Sequence, residues 1–250
     1  VYFLDAVNQY GAFGLIQFES LNGEGRVLDF KNGSFWEQII LRQKSSNRTM
    51  LSLSLEDESF VGELTVKRTG YPAINKRAEL DGRSEDAIAE DLEDRYPDLE
   101  VKDVELENLN DTSKALTEKY TIQMETDVLG SSKIRFSPFL IGKITKNPFK
   151  LESRDYPVDF GYERSNTSLI KIEIPEEYKV SKLPQNMAIA IPNKGGKIIF
   201  NANQKENGVT IYLKYTLNKK QYTPDEYFYL KKFYEILINA QDSFIEIEKI

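Results

Sequence analysis

The chain contains no cysteine and no histidine among its 250 residues. Without cysteine there is no thiol nucleophile, no disulfide and no thiolate metal site. Without histidine the commonest general base near neutral pH and the commonest zinc ligand are both missing. Neither a Ser-His-Asp nor a Cys-His-Asp triad can be completed from these side chains, so no catalysis is expected of this chain alone. Carboxylate, Lys or Tyr chemistry is all that remains open to it. No run of about 18 apolar residues is present, so no transmembrane helix is expected, and no signal-peptide pattern is seen. Dense basic tracts are missing too. Asp and Glu total 40 against 33 Lys and Arg, a net charge of −7, which repels phosphate backbones and argues against a nucleic-acid partner. There is no short internal repeat and no low-complexity tract.

What is there is ordinary globular material: 40% hydrophobic and 29% charged residues, in a chain long enough for one large or two ordinary domains. The local patterns are mostly β. Val1 to Leu4 reads as a strand leading to Asp5, and Arg26 to Phe30 as another before an Asn32-Gly33 turn. Met50 to Leu55 alternates, with Leu51, Leu53 and Leu55 on one face. Phe60 to Arg68 returns as its hairpin partner. Tyr71 to Tyr96 breaks the alternation and predicts two helices interrupted at Gly82. Ser84 is the N-cap of the second and Pro97 its stop.

Strands resume at Leu99 to Leu109, Leu116 to Thr126 and Ile134 to Leu140. Beyond Lys143, prolines punctuate shorter strands at Ser168–Ile174, Met187–Ile191, Lys197–Ala202 and Val209–Leu217. That spacing predicts an antiparallel sandwich. Thr223-Pro224-Asp225-Glu226 has the form of a capping box opening a helix, with Tyr227, Leu230, Tyr234 and Leu237 as its buried stripe. Phe244 to Ile250 predicts a last strand.

Few residues point to chemistry. Glu152, Asp155 and Asp159 lie among aromatics and read either as a carboxylate cleft or as a turn with Arg154 pairing locally. Glu79 to Asp86 is acidic and centred on Gly82, but it lacks the ligand spacing of a calcium loop and reads as a helix-to-helix link. Tyr212, Phe228 and Tyr229 fall off the inward stripes and could form an aromatic platform for sugars. Gly23-Glu24-Gly25 is too short for a phosphate loop. Asn-x-Ser/Thr triplets at Asn32, Asn47, Asn110 and Asn166 matter only in a eukaryotic secretory setting. No metal ligand set and no cofactor motif is found.

Tyr2-Phe3-Leu4-Asp5-Ala6, then Phe13-Gly14-Leu15, then Leu21 to Val27, resemble the end of the papain-like core in exported bacterial transglutaminase-like proteins. Val7 stands where that family usually has Thr, and Ala12 where Pro is common. Gly70-Tyr71 with Asn75-Lys76-Arg77 resembles the family's post-hairpin helix. Asn147-Pro148-Phe149, Arg154, Tyr156 to Tyr162, Leu183-Pro184 and Leu230-Lys231-x-Phe233-Tyr234 resemble its C-terminal domain of unknown function. The resemblance implies that Asp5 is the third member of a Cys-His-Asp triad whose Cys and His lie upstream. There Asp5 would orient the histidine. It further implies an exported protein, periplasmic or at the cell surface, with a protein or peptide substrate.

The expectation is an α+β, predominantly β chain, with antiparallel sandwich-type modules, a helical insertion and a C-terminal helix. Residues 1–35 would be the tail of the core, 36–140 a hairpin-and-helix module and 141–250 a sandwich with the C-terminal helix. The function expected is that of a non-catalytic accessory module packing on the upstream core of the same polypeptide. The alternative is a stand-alone cell-surface β-sandwich that binds glycan or peptide. A broad apolar patch beside residues 1–18 would favour the first, and exposed aromatics around a concave sheet face the second.

Overall fold

The computed structural model describes residues 3–5, 7–41, 43–56, 59–125, 132–139, 141–205 and 208–250. After a 3-10 turn at Phe18–Ser20, β1 (Glu24–Val27) and β2 (Phe35–Gln38) form a small hairpin, and Gly33 takes φ 88° in the loop between them. β3 (Ser45–Glu56) and β4 (Ser59–Thr69) form the long hairpin that the alternation predicts. α1 (Tyr71–Leu80) and α2 (Glu85–Arg95) follow, and the Ser84 hydroxyl accepts from the Ala87 amide as a cap should. Next come β5 (Leu99–Glu107), β6 (Leu116–Glu125), β7 (Lys133–Phe136), β8 (Val158–Asp159) and β9 (Arg164–Glu173). β10 (Tyr178–Lys182), β11 (Met187–Ile191), β12 (Gly196–Lys205), β13 (Gly208–Leu217) and β14 (Gln221–Tyr222) lead to α3 (Tyr227–Gln241) and β15 (Ile245–Lys249).

Eight strands make one sheet in the order β11-β12-β13-β9-β3-β4-β6-β5. Every neighbouring pair is antiparallel except β3 with β9, which run parallel along the middle of the sheet. One row of side chains crosses seven strands on the inner face: Ala202, Ile211, Ile170, Leu51, Leu64, Tyr120 and Val104, all buried. Each fully buried Leu or Ile in such a row contributes about 1.5–3 kcal/mol. A second sheet, β10-β15-β7, belongs to the same core, as do α1, α2 and α3. Phe136 of β7 meets Phe60 of β4 at 4.8 Å between ring centres, and Ile245 and Ile247 of β15 are fully buried. The chain is therefore α+β and predominantly β. Asn47 and Asn166 face each other across the parallel pair, with Asn47 Nδ2 donating to Asn166 Oδ1 at 3.0 Å. The amide of each is thus turned toward its neighbour strand.

Some local expectations need correction. Phe3 and Leu4 carry no strand pairing, while Val1 and Tyr2, like Leu140 at the end of the strand expected from Ile134, lie outside the described residues. β8, β10 and β14 were not foreseen; two of them are only two residues long and β10 is half-exposed without a clean alternation. The capping box at Thr223 is present, but its first turn, Pro224–Glu226, is 3-10 before α3 begins.

Candidate functional site

The amino-terminal segment is fastened on one side only. Leu15 and Ile16 are buried, and Leu15 joins Tyr71 and Ile74 of α1 in a small second core. The Tyr71 hydroxyl donates to the Ile16 carbonyl at 2.8 Å, and Tyr10 donates to Asp81 at 2.8 Å. Tyr71 stacks on Tyr162 at 4.6 Å, and Phe18 meets both rings edge-on near 6 Å. Gly161, at φ 73°, leaves room for Phe18: a Cβ there would lie 2.6 Å from its ring. Burial raises the Tyr71 and Tyr162 phenols above the ordinary tyrosine range, so both stay neutral.

The other side of the segment is apolar and open. Nine of the sixteen large apolar residues exposed among the described residues lie between Leu4 and Ile40, with Phe30 98% and Trp36 61% exposed. Scattered apolar exposure is normal; a concentration of this kind is not.

Asp5 lies at the start of this segment. Its carboxylate accepts from the Val7 amide at 3.0 Å and from the Gln17 amide at 2.8 Å. Those two bonds hold its pKa below the usual carboxylate range. In this chain Asp5 ties its own loop together.

A concavity of about 1040 Å³ opens between the base of the β1–β2 hairpin, at Gly23 and Ile39 to Leu41, and the outer surface of the eight-stranded sheet. Arg48 of β3 and Lys67 of β4 are direct cross-strand partners there, and Lys214 of β13 lies in the same row beyond Thr167 of β9. Lys44, Arg164 and Lys220 complete a ring of six cations against one acid, Glu163. None of the six has an ion-pair partner within 4.0 Å among the described residues. The adjacent row carries four hydroxyls, Thr216, Ser165, Ser46 and Thr69. Thr216 Oγ1, Arg164 Nε and Gln43 Oε1 are buried without a hydrogen-bond partner in the cleft wall. The opposite wall is aliphatic, from Leu21, Ile39, Ile40 and Leu41.

The other sequence candidates do not converge. Glu152, Asp155 and Asp159 are exposed, with Asp159 accepting from the Gly161 amide at 2.7 Å. Arg154 sits over the Tyr227 ring instead of pairing with them. Phe228 and Tyr229 are exposed but meet each other edge-on, so they present no flat platform; Tyr212 is half-buried. Glu79 to Asp86 is the helix-to-helix link expected, and no group of three or more acidic residues poised for a metal occurs among the described residues.

Two groupings were not foreseen. The first is the cationic cleft: its residues are separated by up to 176 positions, and only strand register assembles them. The sole local trace is a cation at a solvent-side position in each of β3, β4 and β13. The second is a buried ionic cluster under α1, where Glu118 pairs with Arg68, lies 3.6 Å from Lys76 and accepts from the Tyr120 hydroxyl at 2.9 Å. The space beside it is about 20 Å³, room for one water at most, so its role is structural.

Residues 132–247 match the model of a family described as a domain of unknown function with solved structure (DUF3858). The match runs from β7 into β15 and takes in every motif from Asn147 onward that the sequence reading assigned to a C-terminal domain of unknown function. Comparison with curated proteins returns no match, nor does comparison with solved structures. The cleft straddles the limit of the matched stretch: Arg164, Lys214 and Lys220 lie within it, and Lys44, Arg48 and Lys67 outside.

Proposed function

We propose that this chain is the non-catalytic accessory module of an exported transglutaminase-like protein, seated against that protein's papain-like core through residues 3–41. The observation that carries the reading is the two-sided amino-terminal segment, latched inwardly by Leu15, Tyr71 and Tyr162 and apolar outwardly. Leu15 and Phe18 are held on α1 and Tyr162 while Phe30 and Trp36 stay exposed in the hairpin that follows, so a second folded surface is the natural cover. Residues from several of the motifs that resemble the transglutaminase-like family also meet here: Leu15, Tyr71, Gly161 and Tyr162 belong to the latch. In such a protein Asp5 would serve the triad from the foot of the module, with the nucleophile and proton carrier supplied by the core.

The test is the reading frame upstream of Val1 together with the protein it encodes. A Cys-bearing helix and a His-bearing strand are expected there. In that longer protein, Phe30→Glu with Trp36→Glu should expose the junction to limited proteolysis. An upstream frame lacking Cys and His, or turnover of an amide or peptide by the present chain alone, would overturn the reading.

A further inference from the structure

The cationic cleft has a layout that selects among anions. Neighbouring strands lie about 4.8 Å apart, so Lys214, Arg48 and Lys67 spread over roughly 14 Å across β13, β9, β3 and β4. One phosphate or one carboxylate cannot engage such a row. An extended peptide repeats its side chains on one face every two residues, about 6.8 Å, so acids at i, i+2 and i+4 also span roughly 14 Å. Its alternate side chains point the other way, which here means toward the wall of Leu21, Ile39, Ile40 and Leu41.

Thr216 is nine-tenths buried, and its hydroxyl has no hydrogen-bond partner among the described residues. Arg164 Nε shares that condition, and both atoms are covered in the free protein, so the solvent-side cations of the row are what an incoming carboxylate meets. Sugars are less well served, because the Tyr162 face is already stacked on Tyr71 and covered by the Arg164 guanidinium. With a net charge of −7 on the whole chain, six cations against one acid in a single cleft run against the overall charge balance.

We propose that this cleft binds an acidic peptide in extended form, its alternate carboxylates on the Lys214–Arg48–Lys67 row and its apolar side chains on the aliphatic wall. This ligand goes beyond the accessory role and does not depend on it.

Fluorescence anisotropy with a labelled seven-residue peptide of alternating Glu and Leu tests it on the chain as it stands. Binding is expected, weakening as sodium chloride is raised, because screening shortens the reach of the cations. A Gln-for-Glu version of the peptide should bind at least about tenfold more weakly, the value of one lost charge-assisted contact. Lys67→Glu and Lys214→Glu, both on the solvent face of the sheet, should each lower affinity by about tenfold or more at unchanged melting temperature. Equal binding of the Gln peptide, or indifference to both lysine variants, overturns the proposal. So does tighter binding of oligogalacturonate or inorganic phosphate than of the Glu/Leu peptide. The comparison of the two peptides on the unaltered chain decides the matter even if a variant fails to fold.

Discussion

Arg77 Nη2 donates to the carbonyl of Asn108 at 3.1 Å, and Asn108 itself sits in the left-handed region at φ 60°. The same guanidinium reaches the carbonyls of Leu109, Asp111 and Lys114 at 2.9–3.0 Å, and the Asn108 side chain closes the loop by donating to the Ala115 carbonyl. One arginine of α1, 2% exposed, thus satisfies the turn between β5 and β6. Lysine cannot reproduce that fork. Arg77→Lys should cost about 2 kcal/mol in urea denaturation, since more than one half-buried carbonyl loses its donor. A loss below about 0.5 kcal/mol, the range of ordinary surface substitutions, would show that water replaces the fork.

Gly62 and Gly82 separate two reasons for glycine. A Cβ on Gly62 would stand 1.9 Å from the Ser52 carbonyl oxygen of the neighbouring strand, a clash with backbone that cannot swing aside. Gly82 has open space around it but takes φ 71°. Gly62→Ala should therefore destabilise by about 2–3 kcal/mol through overpacking. Gly82→Ala should cost about 1 kcal/mol through strain alone. Equal losses in the two variants would contradict this account.

Asp111 provides an acid-side signature. The Ser113 hydroxyl, then Lys114 and the Ser113 amide, hold its carboxyl down to about 2 from an ordinary 3.8. Protons therefore bind the unfolded chain more readily than the folded one between those values, and stability falls as pH drops. The contribution is complete above about pH 5, falls most steeply between about pH 4 and 2, and is gone by about pH 1. Denaturation of the chain and of Asp111→Asn across that window should show their difference shrinking toward pH 2. A constant difference would mean the hydrogen bonds to Asp111 do not persist in solution.

The aromatic latch can be released without touching the large sheet. Gly161→Val places a side chain where the Phe18 ring now lies. Cleavage of residues 3–20 by a protease should then speed up several-fold, while amide exchange in β3, β4 and β13 stays slow. Unchanged cleavage would show that the segment is held by something other than the Phe18, Tyr71 and Tyr162 rings.

Local grammar was readable in the sequence wherever one element decides its own form. The Ser84 cap, the Thr223 to Glu226 capping box and the nine-residue alternation of Val209 to Leu217 each carry their own reason. Partnership was not readable. Nothing in Asn47 or Asn166 announces that their strands lie side by side in parallel, 119 positions apart. The cleft was hidden for the same reason: Arg48, Lys67 and Lys214 look like ordinary solvent-side residues until register puts them in one row. Asp5 was picked out by motif, and the structure shows its carboxylate engaged by the Val7 and Gln17 amides.

Because β3 meets β9 only after so much intervening chain, a ribosome building this protein leaves the long hairpin of β3 and β4 half-clothed. At about 5–20 residues per second, β9 emerges roughly 6–24 s after its neighbour. Through that interval Leu51, Leu53 and Leu55 stand beside a bare row of backbone donors and acceptors, an invitation to stray strands from other nascent copies. Expression yield should accordingly depend on how crowded the translating cell is, and on which chaperone reaches that hairpin first.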